Sequence, residues 1–129
     1  MMGLVTKEAG PVQGTVVVVD DDREMTRAIA RLLRASGLDA VTFPSAEALL
    51  AETPPRADCL ILDVNMPGLS GFELRTRLQD LGVRAPVIFI TAYDDPQSRA
   101  RAAASGAAAY LAKPFRGEKL LAVLAGALP

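Results

Sequence analysis

The strongest constraint on this chain is the lack of alternation in its apolar runs. Thr15 to Val19, Asp58 to Asp63 and Pro86 to Thr91 each carry four consecutive apolar residues. A strand with one wet face alternates apolar and polar positions, whereas a strand apolar throughout is buried on both faces. Sheets buried on both faces are parallel ones, because the crossovers between parallel strands lay helices over them. The intervening segments have that helical character. After Asp22, Met25, Ile29, Leu32 and Leu33 recur at helical spacing, Arg23, Arg27, Arg31 and Arg34 line the wet side, and Gly37 closes the segment. Leu38 to Phe43 reads as a second strand, and Pro44-Ser45 opens a short helix through Ala46, Leu49 and Leu50.

Pro54-Pro55 breaks the chain ahead of the third strand. A turn-rich loop, Asn65 to Ser70, leads to a helix over Phe72 to Leu81 that Gly82 closes. Beyond the fourth strand, Asp95-Pro96 supplies an N-cap followed by proline at the first helical position, and Gly106 ends that helix. The run Ala102-Ala103-Ala104 within it reads as good helix formers. Ala108 to Ala112 is a short fifth strand, Lys113-Pro114 a turn, and Gly117 to Ala127 a final helix. Five strands alternating with five helices predict an α/β fold, a (βα)5 doubly wound parallel five-stranded sheet. Residues 1–14 mix Gly, Pro, Lys and Glu without period and read as a disordered lead, which leaves 15–128 as the domain.

Composition narrows the function. A chain of 129 residues suits one domain and can bury roughly two-thirds of its unfolded surface. Lys and Arg number 14 against 15 Asp and Glu, and a net charge of −1 lacks the basic footprint of a nucleic-acid binder. The single Cys, Cys59, lies in an apolar run, which excludes an internal disulfide and a Cys-rich metal site. The chain has no His, which excludes Ser–His and Cys–His catalysis, a His-ligated metal and self-phosphorylation on histidine. No apolar run approaches the roughly 20 residues that span a bilayer, and the first residues lack a signal peptide's basic and apolar segments. A cytoplasmic protein with no membrane partner is expected.

Ligands of such sheets gather at the carboxyl ends of the strands, near the switch in strand order. Here those ends hold Asp20-Asp21-Asp22, Asp63, Thr91 and Lys113. Asp22 heads a helix and reads as its N-cap. Asp20, Asp21 and Asp63 need another reason, because carboxylates brought together repel and one takes a proton unless a cation compensates. Oxygen donors alone point to a hard ion, and Mg²⁺ accepts few carboxylates plus waters, with Mn²⁺ as the alternative. Lys113 can neutralise the acidic pocket and also hold a second anion, and Thr91 adds a hydroxyl. Together these groups form a site for a phosphoryl group, with an aspartate as nucleophile and with metal and lysine neutralising the transferring oxygens.

Four segments carry a family resemblance: Val16-Val17-Val18-Val19-Asp20-Asp21-Asp22; Leu62-Asp63-Val64-Asn65-Met66-Pro67-Gly68 with Gly71; Phe89-Ile90-Thr91-Ala92; and Lys113-Pro114-Phe115. In this order and spacing they resemble the CheY-like receiver domains of two-component response regulators, over about Thr15 to Leu128. Ser45-Ala46-Glu47 and the Asp63 segment are also similar to receivers of the FixJ/NarL type. The resemblance implies strand order 2-1-3-4-5 and a phosphoacceptor at Asp63. It implies a Mg²⁺ site made by Asp21, Asp63 and the backbone carbonyl of Asn65, with Asp20 acting mostly through water. It implies that Thr91 and Lys113 each take a phosphoryl oxygen, that Ala92 leaves the group room, and that the Lys113–Pro114 bond is cis. Thr91 and Tyr110 would form the switch.

The implied role is signalling rather than enzymatic: phosphoryl uptake on Asp63, slow self-dephosphorylation, and a switched face spanning the fourth helix, fifth strand and fifth helix. The implied donor is a sensor histidine kinase or a histidine phosphotransfer protein, and the output is a partner or an effector domain. A homodimer formed on phosphorylation belongs to the same set, although Ala108-Ala109 stand where the family's winged-helix branch carries an acidic pair. The alternative is an aspartyl-phosphate hydrolase of haloacid dehalogenase type. That class resembles Asp-x-Asp, and here Asn65 occupies the second position. A flavodoxin-like nucleotide or flavin module would need a phosphate loop where this chain has three acids.

Overall fold

The computed structural model describes residues 14–52 and 56–128. Most of the expected N-terminal lead, the Pro54-Pro55 break and Pro129 therefore lie outside the described residues. The elements alternate as β1 (Thr15–Val19), α1 (Arg23–Ala35), β2 (Asp39–Phe43), α2 (Ala46–Leu50), β3 (Cys59–Asp63), α3 (Gly71–Asp80), β4 (Val87–Thr91), α4 (Pro96–Ala104), β5 (Ala109–Ala112) and α5 (Gly117–Ala127). The strands form one parallel sheet in the order β2-β1-β3-β4-β5.

The apolar runs are explained by two cores. Val16, Val18, Ile61, Ile88 and Ile90 point to one face, where Ile29 and Leu33 of α1 and Leu120 and Leu124 of α5 cover them. Val17, Val19, Leu60, Leu62 and Phe89 point to the other, against Leu49 of α2, Leu74 and Leu78 of α3 and Ala102 of α4. Phe72 packs on Phe89 with ring centroids 4.6 Å apart. β2 lies at the sheet's edge, and its pattern is accordingly mixed, with Val41 and Thr42 exposed. Arg34 of α1 donates to the Ala40 carbonyl at 2.8 Å, which occupies one edge acceptor that would otherwise invite another strand.

Small differences from the sequence reading have local causes. Leu38 is buried through helix capping rather than as a strand residue: Gly37 takes φ +90°, and the Leu38 N–H returns to the Leu33 carbonyl. Leu81 is the C-cap of α3, with Gly82 at φ +87° and Val83 N–H bonded to Leu78 O. Asp22 caps α1 as expected, accepting from Glu24 N and Met25 N. In α4 only Ala102 of the alanine run is buried.

Candidate functional site

The chain leaves β1 toward β2 on one side and later places β3 on the other, so strand order reverses at β1. The crevice at that reversal is bounded by Asp20, one residue past β1, and Asp63, the last residue of β3. Thr91 ends β4, and Lys113 follows β5 directly. Parallel register levels these ends: Val19 lies beside Leu62, Asp63 beside Ile90, and Thr91 beside Ala112. Residues 93 positions apart thus meet, with Lys113 Nζ 2.8 Å from Asp20 Oδ2.

Burial separates the acids. Asp20 and Asp63 are 1% and 4% exposed, whereas Asp21 faces solvent. Each of the three offers one oxygen, and these lie within 4.8 Å of one another. Asp20 also accepts from Asp22 N at 2.9 Å, and Lys113 Nζ reaches Asp63 Oδ1 at 3.7 Å. Burial and then the Asp20 charge push the Asp63 carboxyl up to about 7, with the Lys113 ammonium acting in the opposite direction. Burial alone would lower Lys113, but the bond to Asp20 and the charges of Asp63 and Asp20 outweigh it and hold the ammonium. One ammonium against three carboxylates leaves net negative charge in a partly dry crevice. A cluster of oxygen donors in that state fits a hard divalent cation.

Thr91 is fully buried, and its Oγ1 accepts two hydrogen bonds, from Asn65 Nδ2 at 3.0 Å and Tyr93 N at 2.9 Å. The Asn65 side-chain contact is absent from the sequence reading, which used only that residue's carbonyl. No spacing rule could reveal it, because the direction of a loop side chain depends on the path of the loop. Tyr110 is half-buried, with Arg99 above its ring at 5.2 Å. Its hydroxyl is sealed from water and finds no hydrogen-bond partner among the described residues. Close packing fixes the loop after β3: a Cβ on Gly71 would collide with the Asp63 carbonyl, and Gly71 N donates to Val64 O at 3.0 Å. The Lys113–Pro114 bond is cis, as the resemblance implies.

The fold and this strand-end constellation define a class of signalling domain, and comparison with known proteins names it. The family model for the response regulator receiver domain matches residues 16–125, and the chain belongs to that family. It is 45% identical over 107 residues to nodulation protein W of Bradyrhizobium diazoefficiens, covering 82% of this chain and 47% of that protein. The response regulator protein TmoT of Ectopseudomonas mendocina is 38% identical, with 90% and 53% covered. The chain thus spans about half the length of the curated relatives it matches. A response regulator receiver protein from Burkholderia phymatum is 49% identical, with a TM-score of 0.72 over 89% of this chain and 98% of that one. The five-stranded fold with order 2-1-3-4-5 is that of CheY-like receivers. Nothing in these matches supports a haloacid dehalogenase reading. Among the described residues no helix is long and apolar enough to cross a membrane.

Proposed function

We propose that this receiver domain accepts a phosphoryl group on Asp63 from a histidine kinase or histidine phosphotransfer protein. The observation that carries the proposal is the Asp20, Asp21 and Asp63 cluster, with Lys113 bridging two of its members. In the transfer an oxygen of Asp63 bonds to phosphorus while the donor's N–P bond breaks. A donor such as acetyl phosphate would lose an O–P bond instead. Asp21, Asp63 and the Asn65 carbonyl are the groups to hold Mg²⁺, or Mn²⁺, with Asp20 acting through water. When bound, the metal would neutralise charge on the phosphoryl oxygens. Lys113 would exchange part of its contact with Asp20 for a phosphoryl oxygen, and Thr91 would donate its hydroxyl to another. Self-dephosphorylation by water would reset the domain. The output is a partner or effector domain reached through the α4, β5 and α5 face, including Arg99, Arg101, Tyr110 and Lys119, with a phosphorylation-dependent homodimer as one form.

Intact mass after acetyl phosphate treatment tests the proposal. With Mg²⁺ a phosphoryl adduct should appear on the wild-type protein and be missing from Asp63→Asn. An equal yield in excess chelator would remove the metal from the account, and an adduct surviving in Asp63→Asn would move the acceptor elsewhere.

Metal binding has its own readout. Mg²⁺ should raise the melting temperature, because a ligand of the folded state stabilises by about RT ln(1 + [L]/Kd). The rise should be largely lost in Asp21→Ala, whose exposed side chain contributes little to packing. An undiminished rise in that variant would place the ion at another site.

A further inference from the structure

The Ser45-Ala46-Glu47 segment contains a charge for which the phosphoryl site has no direct use. Glu47 stands in the first turn of α2, is exposed, and touches no member of the acidic cluster by hydrogen bond or ion pair among the described residues. Its contact lies elsewhere. Oε2 accepts from Leu69 N at 3.1 Å, joining α2 to the loop between β3 and α3 across 22 positions. Gly68, the preceding residue, takes φ +81°, and a Cβ built there would lie 2.5 Å from the same Oε2. The carboxylate is therefore laid against bare backbone at Gly68-Leu69, in a space that only glycine leaves open.

That loop begins at the site. Asn65 starts it, with its side-chain amide on Thr91, and a capping box ends it, Ser70 N on Glu73 Oε1 at 2.8 Å and Glu73 N on Ser70 Oγ at 3.1 Å. Between these two anchors, Glu47 supplies the one hydrogen bond from a side chain of another element to the loop backbone among the described residues. We infer that Glu47 is a positioning residue for the cation: by holding Gly68-Leu69 it fixes the path of the loop that begins at Asn65, whose carbonyl is a ligand in the proposed site. The inference rests on the proposed metal site and extends it to α2, which supplies none of the ligands.

Mg²⁺ titrations of the full chain, followed by amide resonances, test it. Glu47→Ala should weaken Mg²⁺ binding about three- to tenfold, the weight of one hydrogen bond. It should also speed hydrogen exchange at the Leu69 amide. Glu47→Gln loses the charge but keeps an acceptor oxygen, so it should bind within about twofold of wild type. In Gly68→Ala the new methyl displaces the carboxylate, and adding Glu47→Ala should then cost nothing further. If Glu47→Gln is as weak as Glu47→Ala, only the charge matters and the positioning role fails. If Glu47→Ala binds like wild type, the loop holds itself and the inference also fails. Wild-type binding that Asp21→Ala leaves intact would overturn the proposed metal site, and this inference with it.

Discussion

In metal-free buffer above neutral pH, Asp63→Asn is expected to be more stable than the wild-type protein, although it removes the proposed phosphoacceptor. Asp63 is buried beside Asp20, and burial followed by that charge moves its carboxyl up to about 7 from an ordinary 3.8. As pH rises, the unfolded chain therefore releases this proton before the folded one does. The associated stability is fully present below about 3.8 and is lost as pH climbs through about 7. Above that, the native state carries an unfavourable carboxylate that asparagine, nearly identical in shape, does not. The gain should be on the order of 2–4 kcal/mol, several degrees in melting temperature, the opposing effect of Lys113 being already contained in the shift. It should vanish near pH 4. Saturating Mg²⁺ should reverse the order, since the wild type then binds the ion with a full set of oxygens. Melting curves between pH 4 and 8, with chelator and with Mg²⁺, check all three statements. A variant less stable than wild type throughout the chelator series would show that Lys113 alone balances the cluster.

Thr91→Ala is expected to take phosphate on Asp63 and yet lose the response of the α4, β5 and α5 face. In the resting protein Thr91 Oγ1 is held by Asn65 Nδ2 and Tyr93 N. A phosphoryl group on Asp63 offers its hydroxyl a charged acceptor, and movement toward it vacates space that Tyr110 can fill. The Tyr110 hydroxyl is buried without a hydrogen-bond partner among the described residues. Moving therefore costs the ring its Arg99 contact and the Asp94 neighbourhood rather than a satisfied hydroxyl. Its departure from beneath Arg99 would reshape the surface that both residues form. Bringing a conformer from a few per cent to dominance takes roughly 2–4 kcal/mol. A charge-assisted bond to Lys113 and one from the hydroxyl together supply about that much, less the resting bonds given up. Alanine retains the acceptor Asp63 and removes the hydroxyl, so amide resonances of Arg99, Arg101, Tyr110 and Lys119 should stay near their resting positions on phosphorylation. A wild-type pattern of shifts in Thr91→Ala would route the coupling past the threonine.

Sequence and tertiary structure each had authority over different parts of this domain. Val16–Val19, Cys59–Leu62 and Val87–Ile90 could be read as doubly buried strands because burial on both faces removes the alternation of a half-wet strand. Helix ends at Asp22, Gly37, Asp95 and Gly82 were legible because capping is local chemistry, decided within a turn. Asp20, Asp63, Thr91 and Lys113 could be foreseen as neighbours because parallel strands end on one edge, whatever the sequence distance between them. The sequence could not show that Asp20 is the buried partner of Lys113 while Asp21 faces water. Adjacent residues differ in that respect only through the direction of the chain as it leaves β1. Nor could it show Asn65 on Thr91 or Glu47 on Leu69 N, since each joins a loop to a distant element and leaves no period or spacing to read. Periodic burial and capping were written in the sequence by itself; the side-chain contacts across the strand-end loops were decided only when packing set the loops' paths.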